Sequence, residues 1–317
     1  MTTRPAAGHP YVEAVNRAID HALQGLDGPL PLDELAGAAA FSPFHFHRVF
    51  RALMGETPGE FVRRLRLERA LSIMARTPDR PLTEVALACG FAGSSDFSRA
   101  FKQRHGVPPS RFDLDAWREE RRAGLRDTVE ASVSDGADPP VLTTPEGVRL
   151  ERLPPGENPD GFEVTMLELP PRAVLYRRVF DPYHGSGVVD AANEFLAWAD
   201  ARGLADGAWL GYQWDDSEVV PLECCRYDVG LVVPEEAARS EGSLGLLRFP
   251  ALLVACVPVR GGLDLETRAL DWLYGTWLPE SGYLPDDQPA FEAWVGRPFA
   301  HGFEHFEVDV HLPVRPR

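Results

Sequence analysis

Apolar residues in the first third of the chain recur with helical spacing, and the whole pattern then comes round again. Leu32, Leu35, Ala36 and Ala39 form one short apolar stripe, and Ser42-Pro43 offers an N-cap followed by a first-turn proline. A second helix, with Phe46, Val49 and Phe50 inward, is expected to run to about Met54 and stop at Gly55. Fifty positions later, Leu82-Thr-Glu-Val-Ala-Leu-Ala-Cys-Gly-Phe91 lies over Leu32-Asp-Glu-Leu-Ala-Gly-Ala-Ala-Ala-Phe41. After one extra residue in the second turn, Phe97, Arg99, Phe101, Lys102, Gly106, Pro109 and Phe112 lie over Phe46, Arg48, Phe50, Arg51, Gly55, Pro58 and Phe61. In this copy Gly90 marks the turn, Ser94 or Ser95 is the expected cap, and Phe97, Ala100 and Phe101 form the buried stripe. Each copy reads as a helix-turn-helix. Between them, residues 59–75 read as a long helix, with Phe61, Leu65, Ala70 and Met74 apolar and Arg63, Arg64, Arg66 and Arg69 on its other sides. Such a spacer would present two recognition helices to successive major-groove faces, about 34 Å apart.

The charged run Arg118 to Arg126 extends the last helix, after which the helical pattern fails until about Phe162. Asp135-Gly-Ala-Asp-Pro-Pro140 and Pro154-Pro-Gly-Glu-Asn-Pro159 punctuate this stretch with turn residues. Domains are therefore expected over residues 8–125 and 161–317, joined by a linker over 126–160. The second domain also repeats. Pro171 to Val179 and Pro250 to Val259 read as strands, each followed by a helix (Val188 to Arg202, and Leu265 to Trp277). Two more strands close each half: Trp209 to Trp214 with Arg226 to Val233, and Phe291 to Val295 with Phe306 to Leu312. The expected architecture is an all-α tandem helix-turn-helix domain followed by an α+β domain of two β-α-β-β repeats around a ligand cleft.

Composition sharpens this division. The 317 residues carry a net charge of −16, which taken alone argues against a nucleic-acid partner. Yet residues 1–125 hold 17 Arg and Lys against 15 Asp and Glu, whereas residues 160–317 hold 12 against 26. The acidity belongs to the second domain. Four cysteines (Cys89, Cys224, Cys225, Cys256) are too few and too irregular for a disulfide framework or a paired zinc site, and fit a reducing compartment. With no basic, apolar leader and no long apolar run, a cytoplasmic protein without a membrane span is expected. No phosphate loop, nucleophile elbow or HExxH pattern occurs, so no catalytic residue, metal or cofactor is assigned.

Ala88-Cys-Gly-Phe-Ala-Gly-Ser-Ser-Asp-Phe-Ser-Arg-Ala-Phe-Lys-Gln-Arg-His-Gly-Val-Pro-Pro-Ser-Arg-Phe112 resembles the signature segment of the AraC/XylS family of bacterial regulators, and the resemblance covers roughly residues 10–115. It implies a seven-helix domain that binds double-stranded DNA sequence-specifically, with RNA polymerase as a further partner it admits. Asp96 departs from the family pattern, which often has a residue able to donate to DNA there; a carboxylate would accept from a cytosine amino group or repel phosphates. With the phenylalanines inward, helix geometry leaves Phe44, His47, Arg48 and Arg51 outward in the first recognition helix, and Ser94, Ser95, Asp96, Ser98, Arg99 and Lys102 in the second. Arg48 and Arg99, equivalent in the repeat, are the candidates for guanine contacts, and Arg51 and Lys102 for phosphates. Against this stands the reading of each as a solvated surface charge.

The segment Leu273-Tyr-Gly-Thr-Trp-Leu-Pro-Glu-Ser-Gly-Tyr-Leu-Pro285, then Gln288-Pro-Ala-Phe-Glu-Ala-Trp294, with Cys225-Arg-Tyr-Asp228 before them, resembles the GyrI-like effector-binding fold over about residues 162–315. That resemblance implies a small-molecule effector and places the family's ligand-facing carboxylate at Glu292. Strand alternation puts Glu292 on one face with Trp294, and Tyr212 with Trp214 on one face of another strand. These four, with Trp272 and Tyr283, are the candidate ligand contacts, suited to a cationic or polar aromatic compound. The competing reading is an exposed edge-strand Glu beside a buried Trp. The resemblance also admits two other activities for this domain: hydrolysis of reactive aromatic natural products, with Glu292 as a general base, and binding of a protein partner.

Overall fold

Helices α1 (Pro10–Gln24), α2 (Leu32–Ala38), α3 (Pro43–Met54), α4 (Pro58–Arg76) and α5 (Leu82–Ala88) each begin at or directly after a proline. Proline's fixed φ suits the first turn, where its missing N–H has no partner to lose. The computed structural model describes residues 10–134, 152–286, 288–302 and 305–317, so residues 135–151 of the expected linker lie outside the described residues. The chain divides into two compact units, Met1–Arg118 with Glu241–Gly245, and Glu119–Ser240 with Leu246–Arg317.

In the first unit α3 starts on a Ser42 hydroxyl that accepts from the His45 N–H at 3.4 Å. A reciprocal capping box starts α4: Thr57 Oγ1 accepts from the Glu60 N–H at 3.3 Å, and the Thr57 N–H donates to Glu60 Oε2 at 2.8 Å. These hydrogen bonds hold the Glu60 carboxyl below the usual range. Helix α6 (Ser94–His105) differs from the expectation. Its N-cap is Gly93, with no side-chain cap, and Ser94 and Ser95 sit exposed in the first turn rather than capping it. Helix α7 (Leu114–Ser134), before which Asp113 accepts from the Ala116 N–H at 3.0 Å, outruns the expected end at Arg126 because no Gly or Pro falls between Arg126 and Gly136.

The central helix α4 packs against α2, α3, α5 and α6. It is buried on several sides, through Phe61, Leu65, Leu67, Ala70 and Leu71, so its arginines are not all solvated as the sequence pattern suggested. Arg64 is buried between Glu56 (2.6 Å) and Glu68 (3.0 Å). Arg66 donates to the carbonyls of Leu26 (3.0 Å) and Gly28 (2.5 Å) and feels the charge of Asp96. The two helix-turn-helix turns both pass through left-handed backbone, at Ala40 (φ 58°) and Gly90 (φ 75°). At Gly90 a Cβ would lie 2.4 Å from the Leu26 carbonyl oxygen.

The second unit is an antiparallel sheet with helices α8 (Gly187–Asp200) and α9 (Leu263–Trp272). Among the described residues its strands are β1 (Thr165–Leu169), β2 (Arg172–Phe180), β3 (Trp209–Gln213), β4 (Arg226–Val233), β5 (Gly245–Phe249), β6 (Leu252–Gly261), β7 (Tyr283–Pro285), β8 (Phe291–Trp294) and β9 (Phe306–Pro316). Their order is β1-β6-β9-β8-β3-β4-β2-β5, with β7 added to β9. The expected repeat is visible in this order. Strands β2, β3 and β4 with α8, and β6, β8 and β9 with α9, form halves of the same strand order that meet where β3 pairs with β8. The repeat pattern gave no sign of β1, β5 and β7. Strand β1 pairs with β6 of the second half, and β5 lies beside β2 of the first.

One face of the sheet packs on the helices: Ala255, Val257, Val308, Val310 and Leu312 meet Ala269, Trp272 and Leu273 of the α9 segment. On the opposite face the cross-strand register aligns Thr165, Cys256, His311, Phe291, Tyr212, Asp228 and Arg178 in a single row.

Candidate functional site

In the first unit the recognition helices turn four phenylalanines inward. Phe46, Phe50, Phe97 and Phe101 are buried, stacked edge to face or tilted at 5.3 and 5.5 Å within each pair. This fixes the outer faces. Phe44, Arg48, Arg51, Ser94, Ser95, Arg99 and Lys102 are exposed, while His47, Asp96 and Ser98 are half-buried. Phe44 is 74% exposed, and the Arg48 guanidinium stands 5.8 Å from its ring centre. An exposed aromatic and an arginine together can meet a thymine methyl and a neighbouring guanine. Asp96 lies within electrostatic reach of Arg66, an internal partner that the sequence pattern did not indicate.

In the second unit the candidate carboxylate is buried and hydrogen-bonded, not an exposed edge-strand Glu. Register places Gly211 opposite Glu292, on the helix-facing side. Glu292 Oε2 accepts from the Tyr227 hydroxyl at 2.8 Å, and Oε1 accepts from Gln213 Nε2 at 3.0 Å. The Trp294 indole is hydrogen-bonded to Tyr227 in turn. Gly211 is required at the centre: a Cβ there would lie 2.0 Å from the Tyr227 hydroxyl and 2.7 Å from Glu292 Oε2.

A second carboxyl faces the first. Glu266 on α9 is only 4% exposed, and its Oε1 lies 3.5 Å from the same Gln213 nitrogen. Burial, together with the charge of and hydrogen bond to Glu292, pushes Glu266 well above the usual carboxylate range. Burial also raises Glu292, offset in part by donation from Tyr227, Gln213 and Glu266. Both carboxyls are thus pushed toward the protonated form, and they titrate as a coupled pair. Burial beside these carboxyls pushes the Tyr227 hydroxyl up as well, and Tyr183, hydrogen-bonded to Ser217, is likewise raised by burial and feels Glu266.

The structure brings Glu292 and Trp294 together and puts Tyr212 and Trp214 on the other face of the sheet. This corrects the expectation of one aromatic-lined carboxylate site. Tyr212 is buried, stacked on Phe249 (5.0 Å) and Phe291 (4.9 Å), and its hydroxyl accepts from Arg172 Nη2 at 3.0 Å. The Trp214 indole donates at 2.6 Å to Asp228, which is clamped by Arg178 at 2.8 and 2.7 Å. The cause is strand alternation: the odd residues of β3 share a face with Glu292 and the even ones do not. Trp272 is buried against Phe162 at 5.8 Å, whereas Tyr283 is half-buried and stacked on Trp277 at 6.1 Å. Trp277 ends a π-helical turn (Leu273–Trp277) that continues α9, so the helix expected over Leu265 to Trp277 changes register there.

Gln213 and Glu266 were not singled out from the sequence. Their signals were present. Gln213 alternates with Gly211 on β3, and Glu266 sits on the stripe of Ala269 and Leu273, a charged residue on the buried side of an amphipathic helix.

Two family models match the chain: one described as a helix-turn-helix domain over residues 35–114, and one as a GyrI-like small molecule binding domain over residues 162–315. The regulatory protein SoxS of Escherichia coli (strain K12) is 31% identical over 87 residues, covering 27% of this chain and 80% of SoxS. The probable transcriptional regulator LumQ of Photobacterium leiognathi is 34% identical over 105 residues, covering 32% of this chain and 42% of LumQ. The chain thus spans less than half of LumQ's length. Among solved structures, the DNA-binding domain of AdpA in complex with a target DNA is 28% identical, covering 34% of this chain and 96% of that one, with a TM-score of 0.31. The chain belongs to the AraC-type helix-turn-helix regulators and carries, after that domain, a GyrI-like small-molecule-binding domain.

Proposed function

We propose that this protein reads a specific DNA sequence through α3 and α6 and responds to a cationic, flat aromatic effector held against Glu292. The observation that carries the effector half is the company Glu292 keeps. Its hydrogen bonds come from a tyrosine, a glutamine and a carboxyl, and no arginine, lysine or histidine contributes to its electrostatics among the described residues. A buried charge without a counter-ion is costly, and a ligand cation between aromatic rings removes that cost. Supporting the DNA half are the exposed side chains of Phe44, Arg48, Arg99 and Lys102 on helices whose inner faces are fixed by phenylalanine. RNA polymerase is the partner this reading assigns at promoters.

Binding-site selection tests the DNA half. Arg99→Ala is expected to relax preference at one base position, at about 1–3 kcal/mol, whereas Lys102→Ala weakens all sequences alike. An unchanged selected-site pattern for Arg99→Ala would refute the assignment of the base-reading face. For the effector half, tryptophan quenching by a flat aromatic cation is expected to weaken about tenfold or more in Glu292→Gln, while an uncharged analogue binds both proteins equally. Consumption of the compound by the wild type alone would instead make Glu292 a general base and the domain a hydrolase.

A further inference from the structure

We propose that Glu266 is the second half of the effector site: the two carboxyls hold one proton between them, and a bound cation takes that proton's place. This rests on the effector reading above and adds to it a residue, a charge state and a regulation. Glu266 and Glu292 come from a helix and a strand of the same half, and the amide of Gln213, from the other half, lies between them at 3.5 and 3.0 Å. Both side chains are buried, at 4% and 6% exposure. Two carboxylates on one nitrogen in a low dielectric repel too strongly for both to be ionised, so they titrate as a unit with one proton retained.

Among the described residues the surroundings supply nothing else to neutralise a second charge. From β4 comes the Tyr227 hydroxyl, from β3 the Gln213 amide, from β8 the Trp294 indole through Tyr227, and from the loop after β2 the Tyr183 hydroxyl. Strands β6 and β9 present valines on this face, Val257, Val259, Val308 and Val310. The charged neighbours on α9 are already paired, Arg268 with Asp160 and Asp264, and Asp271 with Arg122. Among the described residues the polar groups that touch the pair are therefore neutral at physiological pH, and the shared proton is what offsets its second charge.

A permanent cation that settles beside Glu292 changes this balance. Its charge favours the ionised form of both carboxyls, the shared proton leaves to solvent, and the complex then contains two carboxylates and the cation. The free protein binds more protons than the complex, so affinity must rise with pH, by at most tenfold per unit for one proton. An effector of this kind reports acidity as well as its own concentration. With Glu292 replaced, Glu266 no longer has a like charge beside it and ionises more readily, so the single variant keeps part of its cation affinity and only the double variant loses the counter-charge altogether.

The test uses the full-length protein, N-methylquinolinium as a non-titrating cationic probe, and 1-methylnaphthalene as its uncharged, non-titrating analogue. Tryptophan quenching from about pH 5.5 to about pH 9 gives the affinity, and calorimetry in two buffers of different ionisation enthalpy counts protons released. Expected are an N-methylquinolinium affinity that climbs with pH, release of up to about one proton per cation, and no such trend for 1-methylnaphthalene. Glu266→Gln should abolish the release and flatten the pH profile, and the Glu266→Gln, Glu292→Gln double variant should lose at least about tenfold more affinity than either single variant. Tight binding of the probe with a flat pH profile and no proton release overturns this proposal and leaves Glu292 acting alone. Failure of the wild type to bind N-methylquinolinium at any pH overturns the effector reading and this proposal with it. The proton count is made on the wild type, so it decides the matter even where a variant does not fold.

Discussion

His311 is buried in the row of side chains on the sheet face away from the helices, stacked on Phe291 at 4.9 Å, and its Nδ1 has no hydrogen-bond partner among the described residues. Burial holds its pKa down to about 4. The unfolded chain takes up this proton near the ordinary histidine value and the folded chain does not, so the contribution to stability is complete above about pH 6.5 and is lost as the pH falls toward about 4. The full loss is on the order of 3 kcal/mol. His311→Phe keeps the ring stack and removes the titrating nitrogens. Its urea midpoint is expected to fall less than that of the wild type between about pH 7 and about pH 4.5, and equal falls would show that the imidazole is not the acid-labile group. Cys256, adjacent in the row, is pushed up to about 11 by burial and so has little thiolate to offer an electrophile at neutral pH.

At the scale of elements, the two helix-turn-helix copies make the same turn with different residues. Ala40 adopts φ 58° where Gly90 adopts φ 75°, and only the glycine does so without a Cβ penalty. Ala40→Gly is expected to stabilise the first unit by about 0.5–1 kcal/mol, because relief of left-handed strain exceeds the added freedom of the unfolded chain. Gly90→Ala is expected to destabilise it by at least about 2 kcal/mol, since the new methyl meets the Leu26 carbonyl and the Arg66 guanidinium that holds it. Thermal unfolding of the two variants checks both signs; a destabilised Ala40→Gly would mean that the first turn is not strained. The turns show why so much of this unit was legible. The helix start at Pro43, the stop after Met54 and the phenylalanine stripes are local, and local signals survive in a linear sequence. The burial of Arg64 between Glu56 and Glu68 was not, because it arises from α4 being surrounded by other helices. In the second unit, alternation along β8 correctly paired Glu292 with Trp294, but it could not say which face of β3 would join them. That depends on the cross-strand register, in which Gly211 and not Tyr212 falls opposite Glu292. Strands β1, β5 and β7 are short, and what makes them strands is the pairing with distant partners.

For the molecule as a whole, the net charge of −16 and an affinity for a polyanion are compatible only because the charge is segregated. Binding of DNA by the full-length protein is expected to weaken steeply with salt, the logarithm of affinity falling with a slope of about −0.9 per phosphate contact against the logarithm of salt concentration. A flat dependence measured by fluorescence anisotropy would remove the phosphate-contacting role of Arg51 and Lys102. If the effector changes DNA affinity, operator DNA must change effector affinity by the same factor, which gives an independent check on any regulatory effect.

The exchange of edge strands in the second unit makes its two halves inseparable. Cut between β4 and β5, the chain would give two fragments of which neither is a module, since β1 would be parted from β6 and β5 from β2. The same cut would divide the acidic site along its middle, with Gln213 and Tyr227 on one fragment and Glu266 and Glu292 on the other. A molecule bound at the proposed effector site would lie across that seam as a rivet does, and the free energy of its binding would add to the stability of the joined halves.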